Sequence, residues 1–163
     1  MTEATVHASA VLVGARAVLI RGPSGAGKSR LALELIEARR SGALRFARLV
    51  GDDRIYLERA GGRLLVRPEE TLSGLIELRG VGILRRDYEP CAVVGLVVDL
   101  AAAAAERLPE TGQISIDGIS LPRLAVAPGA TALPAVMAVV TSCVVIASTK
   151  RLSATPSPLL AID

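Results

Sequence analysis

At 163 residues, with 51% hydrophobic and 21% charged side chains, the chain has the size and balance of one globular α/β domain spanning 1–163, and a disordered composition is excluded. The formal charge of +3 comes almost wholly from arginine, since Lys28 and Lys150 are the only lysines, and three scattered aromatics (Phe46, Tyr56, Tyr88) without a dense basic run exclude a nucleic-acid platform. The two cysteines, Cys91 and Cys143, make neither a disulfide framework nor a metal cluster; they read as small core residues of a reduced, cytoplasmic protein whose core is built from Ala, Val, Leu and Ile.

The N-terminal "MTEATVHASA" lacks a basic region followed by an apolar run, so no secretory signal is expected. "HASAVLV" and "AVLIR", separated by "GAR", predict a β-hairpin that leads into the glycine-rich "GPSGAGKS". "SRLALELIEARRSG" then places Leu31, Leu35 and Ile36 at helical spacing and ends at Gly42, a helix stop. A strand, "RFARLVG", runs into Asp52 and Asp53, and "RIYLERAGGRLLVRP" predicts a second hairpin about its Gly-Gly turn. "GLIELRGVGIL" sets Gly74, Gly80 and Gly82 around an apolar core, and "CAVVGLVVDL" reads as a buried strand. "AAAAAERLPE" is a short helix or a spacer, and "QISIDGISLPRLAV" predicts a third hairpin at Asp117-Gly118. The charge-free residues 135–148 are too short to span a membrane and are expected to be a buried element. So many hairpins predict a sheet that is mixed or largely antiparallel.

Gly22, Pro23, Ser24, Gly25, Ala26, Gly27, Lys28 and Ser29 complete the pattern G-x-x-x-x-G-K-[ST] between a strand and a helix. Glycines let successive backbone N–H groups curl toward phosphate oxygens, and the helix adds its positive end. Lys28 is expected to reach the β- and γ-phosphates of ATP, and the Ser29 hydroxyl to ligate Mg²⁺. A site of this kind needs a further carboxylate at a strand end. Asp99, closing "VVGLVVD", and the pair Asp52-Asp53, closing "ARLVG", both qualify. A single acid suffices to organise a metal; two adjacent acids can divide the work, one for the metal and one for a hydroxyl proton. Spacing alone leaves that contest even.

Beyond the loop, several pieces occur in the order found in the catalytic domain of HPr kinase/phosphorylase. "VHASAVLV" resembles that family's histidine-containing strand, "GPSGAGKSRLALELI" its phosphate loop and helix, and "LVGDDRI" its paired-Asp-Arg motif. "GLIELRGVGIL" is similar to the family signature Ile-Glu-Ile-Arg-Gly-Leu-Gly-Ile, which generic nucleoside triphosphatases lack. The likeness runs from residue 6 to about 84 and more weakly to about 130, without the N-terminal domain of longer members. It implies a single P-loop domain similar to the HPr kinase and phosphoenolpyruvate carboxykinase type. The implied activity is ATP- and Mg²⁺-dependent phosphorylation of a serine on an HPr-type phosphocarrier protein, with neither membrane nor nucleic acid as partner and with assembly of identical copies compatible.

Carried over by residue, the resemblance makes His7 a catalytic-site histidine, Lys28 the loop lysine, Ser29 a Mg²⁺ ligand and Asp52 the acid that takes the serine proton. Asp53 is expected on the metal, Glu77 at a second Mg²⁺ position, and Arg107 as the arginine of an Asp-Arg-Leu-Gly-like motif. Family members carry arginines in a Pro-Val-Arg-Pro-Gly-Arg stretch tied to dephosphorylation; here "AVAPGAT", residues 125–131, has none, so the kinase direction is expected over the phosphorylase one. The alternatives are a P-loop ATPase or small-molecule kinase using Asp99, and a nucleotide-sensing module without catalysis.

Overall fold

In the computed structural model, which describes residues 4–102 and 112–152, the first predicted hairpin is β1 (Ser9–Val13) paired antiparallel with β2 (Arg16–Arg21). The glycine-rich loop follows, and α1 (Lys28–Arg40) starts at its lysine. Leu31, Ala32, Leu35, Ile36 and Ala38 form the buried face of α1, while Gly42 (φ 81) donates its N–H to Arg39 O and ends the helix. β3 (Ala47–Gly51) returns antiparallel beside β1 and delivers Asp52 and Asp53 to the mouth of the loop. β4 (Ile55–Ala60) and β5 (Arg63–Pro68) form the second hairpin about Gly61-Gly62.

β6 (Leu75–Leu78) and β7 (Gly82–Arg85) form a separate two-stranded sheet. The expectation of an apolar core around "GLIELRGVGIL" holds only in part, because Ile76 is buried while Val81 and Ile83 are exposed. A two-stranded ribbon has one face to bury and one left in water.

β8 (Ala92–Asp99) is the buried central strand. It runs parallel to β2, and its edge serves two partners in turn: Val93 and Ala92 pair antiparallel with β5, then Val97–Asp99 pair parallel with β10 (Ile119–Ala125). β9 (Gln113–Ile116) closes the third hairpin. The result is a mixed sheet of eight strands in the order β3-β1-β2-β8-β10-β9, with the β4–β5 hairpin joined through β5 to β8. At the bulge between Ala17 and Val18, Gly95 lets Arg16 cross the sheet; a Cβ there would lie 2.6 Å from Arg16 Cβ.

Alternation along the strands makes two cores. Val11, Val18, Ile20, Leu49, Leu96 and Val98 face α1, whereas Ala10, Leu19, Val50, Val94 and Val97 pack with Ile55, Leu64 and Val66 of the β4–β5 hairpin. Every buried hydrophobic among the described residues is Ala, Val, Leu or Ile, as the shortage of aromatics requires. Burying each large aliphatic side chain contributes roughly 1.5–3 kcal/mol.

Two expectations are corrected. Cys91 is exposed, because burial on this strand begins one residue later, at Ala92. The charge-free residues 135–148 lie within α2 (Ala132–Leu152), and over 132–142, where side chains are described, the helix lies on the surface: Val136 is buried while Ala135, Ala138 and Thr141 are exposed. This part meets the α1 layer through Val136 and its neighbours Leu133, Met137 and Val140, and the Cys143 side chain lies outside the described residues. No helix among the described residues is long and apolar enough to cross a membrane. Arg107 and most of the alanine-rich tract lie outside the described residues.

Candidate functional site

The glycine-rich loop joins β2 to α1, with Gly25 (φ 81) and Gly27 (φ 97) in the left-handed region. Gly27 is the N-cap of α1 and supplies no side-chain cap, so the first backbone N–H groups of the helix remain directed at the loop interior. Lys28 is only 7% exposed. Its ammonium donates to Gly22 O (2.8 Å) and Pro23 O (3.1 Å), holding the charge inside the loop. Burial lowers the Lys28 pKa, while Asp52 and Asp53 oppose that shift and favour the ammonium.

Asp52, 3% exposed, gathers the site. Its Oδ1 accepts the Ser9 hydroxyl (2.5 Å), both of its oxygens accept the Ser29 hydroxyl (2.8 and 2.9 Å), and its Oδ2 accepts the Glu77 N–H (3.2 Å). Four parts of the sequence, β1, α1, the end of β3 and β6, thus meet on one buried carboxylate. Each of these partners donates to it through an O–H or N–H bond.

Asp53 points elsewhere. Arg54 N–H donates to Asp52 O (2.8 Å) across a tight three-residue turn that sets Asp53 at φ 66, a conformation aspartate tolerates better than most residues. Its Oδ1 lies 2.9 Å from His7 Nε2, with both side chains about half exposed (56% and 52%). His7 is brought there because Val6 pairs with Ile55 through two backbone hydrogen bonds (2.8 and 3.1 Å). Asp53, expected with Ser29 on the metal, is therefore paired with His7, and it is Asp52 that contacts Ser29.

Asp99, the rival acid, lies at the end of β8, register-paired with Arg21. Arg21 grips it with Nε to Oδ1 (2.7 Å) and Nη2 to Oδ2 (2.8 Å), and Arg123 Nε reaches Oδ2 at 2.5 Å. Burial alone would push the Asp99 carboxyl up, but the two guanidiniums override it and hold the group below the usual carboxylate range. The same pairing raises the Arg21 pKa against the cost of burial. Both carboxylate oxygens are taken by cations, leaving Asp99 a structural clamp at the root of the loop.

Lys28, Ser29, Asp52 and the Glu77 backbone are thus brought together, His7 and Asp53 form a pair on the rim, and the Glu77 side chain is exposed. Ser9 is the residue the sequence reading passed over. Its signal was a lone hydroxyl in an otherwise apolar strand, two positions after His7.

Comparison with known proteins gives a consistent picture. A family model described as the HPr Serine kinase C-terminal domain matches residues 1–89. The HPr kinase/phosphorylase of Streptococcus thermophilus is 43% identical over 81 residues, covering 49% of this chain and 24% of that protein. That of Mycoplasma mycoides subsp. mycoides is 39% identical over 77 residues, covering 47% and 22%. The matches therefore span less than a quarter of these relatives' own length. The solved structure of the Hpr(Ser) kinase/phosphatase from Coxiella burnetii superposes with a TM-score of 0.72 at 23% identity, covering 94% of this chain and 100% of that one, so the fold is shared. Since the family model takes in more than half of the sequence, the chain belongs to the family of HPr serine kinase C-terminal domains.

Proposed function

We propose that the protein is an ATP- and Mg²⁺-dependent serine kinase acting in the cytoplasm on an HPr-type phosphocarrier protein of the phosphotransferase system. The observation that carries the reading is the convergence on Asp52 of the loop hydroxyl, Ser29, and the backbone of the signature glutamate, Glu77. A holder of triphosphate alone does not need that junction; a transfer site does, because donor and acceptor must share one frame.

The residues fit the donor. Backbone N–H groups of the loop and of the α1 N-terminus face where the β- and γ-phosphates would lie, and Lys28 exchanges its carbonyl partners, Gly22 and Pro23, for phosphate oxygens. Ser29 and Glu77 would hold Mg²⁺, which when bound screens the charge of the transferring phosphate.

A serine hydroxyl is a weak nucleophile and needs a positioned base. We assign that role to Asp52, which already accepts two serine hydroxyls; the substrate's hydroxyl has only to replace that of Ser29 at one oxygen. The Asp53–His7 pair, exposed beside it, orients the incoming serine segment. The rival reading through Asp99 is disfavoured by the two guanidiniums that occupy its oxygens. The turn at Pro128-Gly129 brings no arginine, and we assign the kinase direction.

The test is transfer from γ-labelled ATP to a purified HPr-type protein and to its serine-to-alanine variants. Label on a single serine of the carrier, dependent on Mg²⁺, is expected. Nucleotide binding with no transfer would leave a sensing module in its place.

A further inference from the structure

We propose that the cleft at the C-terminal end of α1 is a second anion site, in which arginines from three elements take a phosphate dianion, free or carried by a small organic molecule. The glycine-rich loop lies at the opposite end of α1, about 18 Å away along the helix axis. The site is therefore separate from the nucleotide, and the inference stands apart from the kinase reading.

Arginines of a basic surface ordinarily spread out and extend into water. Here four of them line one cleft of about 430 Å³: Arg39 and Arg40 from the last turn of α1, Arg48 from β3, and Arg86, which follows β7. Asp87 is the acid on its wall. Cations in the last turn of a helix are what its dipole favours. Arg48 and Arg86 exceed that need, since other elements bring them in.

The carboxylates nearby do not balance the four. Glu37 is shared, accepting from Arg40 Nη1 at 3.2 and 3.3 Å while lying 4.0 Å from Arg86 Nη2. Glu89 accepts from Arg48 Nη1 at 3.0 Å. Arg39 has no carboxylate partner among the described residues; its guanidinium lies 4.8 Å from the centre of the Phe46 ring, and that of Arg48 lies over the same ring at 5.5 Å. Gathering like charges on one ring is unfavourable unless something anionic answers them. Arg48 carries a further cost, because its Nε is buried without a hydrogen-bond partner. Only about a third of the Arg48 and Arg86 side chains is exposed, so water screens their repulsion less than on an open surface.

A dianion in the cleft turns that repulsion into attraction. Guanidiniums arriving from α1, β3 and the segment after β7 approach from different directions, which suits the tetrahedral oxygens of phosphate better than the two coplanar oxygens of a carboxylate. The cleft is larger than a phosphate alone fills, leaving room for a small organic group.

The chain has a single phenylalanine, so protein labelled with para-fluorophenylalanine carries one fluorine, against Arg39 and Arg48. Its resonance is followed at constant ionic strength, without Mg²⁺, as inorganic phosphate, glycerol phosphate, glycerol or citrate is added. A saturable shift with phosphate is expected, and none with glycerol. Tighter binding of glycerol phosphate than of inorganic phosphate assigns a phosphorylated small molecule; equal or weaker binding assigns the free ion. Affinity is expected to fall about tenfold in Arg39→Gln and in Arg86→Gln, and to stay unchanged in Lys28→Ala. Arg39 is exposed and its side chain makes no hydrogen bond among the described residues, so its replacement leaves the fold intact. No saturable shift with either phosphate would overturn the site. A shift that is lost in Lys28→Ala and kept in Arg39→Gln would also overturn it, by placing the anion at the glycine-rich loop. Citrate binding as tightly as phosphate would overturn the assignment to a phosphate.

Discussion

Two aspartates follow or end strands on either side of the glycine-rich loop, and they are held in opposite ways. Asp52, just past β3, is buried among two hydroxyls and a backbone N–H; Asp99, at the end of β8, lies between two guanidiniums. A carboxylate satisfied by neutral donors can exchange one for a substrate hydroxyl at small cost. A carboxylate clamped by Arg21 and Arg123 cannot leave without stranding two cations. Position at a strand end therefore does not identify the working acid; its partners do.

Next to Asp52 itself, a large effect is expected at the rim, where Asp53 meets His7. Asn at either position should lower single-turnover transfer to an HPr-type protein by about a hundredfold or more, without shifting the melting temperature. The double variant should be no slower than the worse single one, since the two act as a unit. Additive losses would separate His7 from Asp53.

A smaller and different effect is expected at the clamp. Asp99→Asn should cost about 2–3 kcal/mol of stability in urea titration, less than a fully buried pair because both arginines are partly exposed. The sign of the pH dependence follows from the depressed Asp99 pKa. Its contribution is fully present above the ordinary carboxylate range near pH 4 and is lost as pH falls through the lower folded value. Wild type should accordingly lose more stability than Asp99→Asn between about pH 4 and pH 2. An unchanged acid limb in the variant would show that the clamp contributes nothing.

The comparison also marks what the sequence could tell. The loop, α1, the three hairpins and β8 were legible because glycines, helical spacing and valine runs are local signals. The clamp was not, because Arg21 and Arg123 lie 78 and 24 residues from Asp99 and meet it only through the register of two parallel pairings. The meeting of His7 with Asp53 was not legible either, because it depends on the pairing of Val6 with Ile55, which no short window contains. Burial failed to be legible at Cys91 for a related reason: the strand's entry into the core, one residue on, depends on where β5 covers it. The resemblance to a family singled out Asp52, and the fold shows what surrounds it: the Ser9 and Ser29 hydroxyls and the Glu77 N–H.

The central claim is that Asp52 does chemistry and Asp99 does not. Asp52→Asn and Asp99→Asn should be assayed side by side for transfer of labelled γ-phosphate to an HPr-type protein, with rates expressed per folded molecule. The account predicts a fall of about a thousandfold in Asp52→Asn and no more than about tenfold in Asp99→Asn. Transfer that survives in Asp52→Asn and vanishes in folded Asp99→Asn would contradict it.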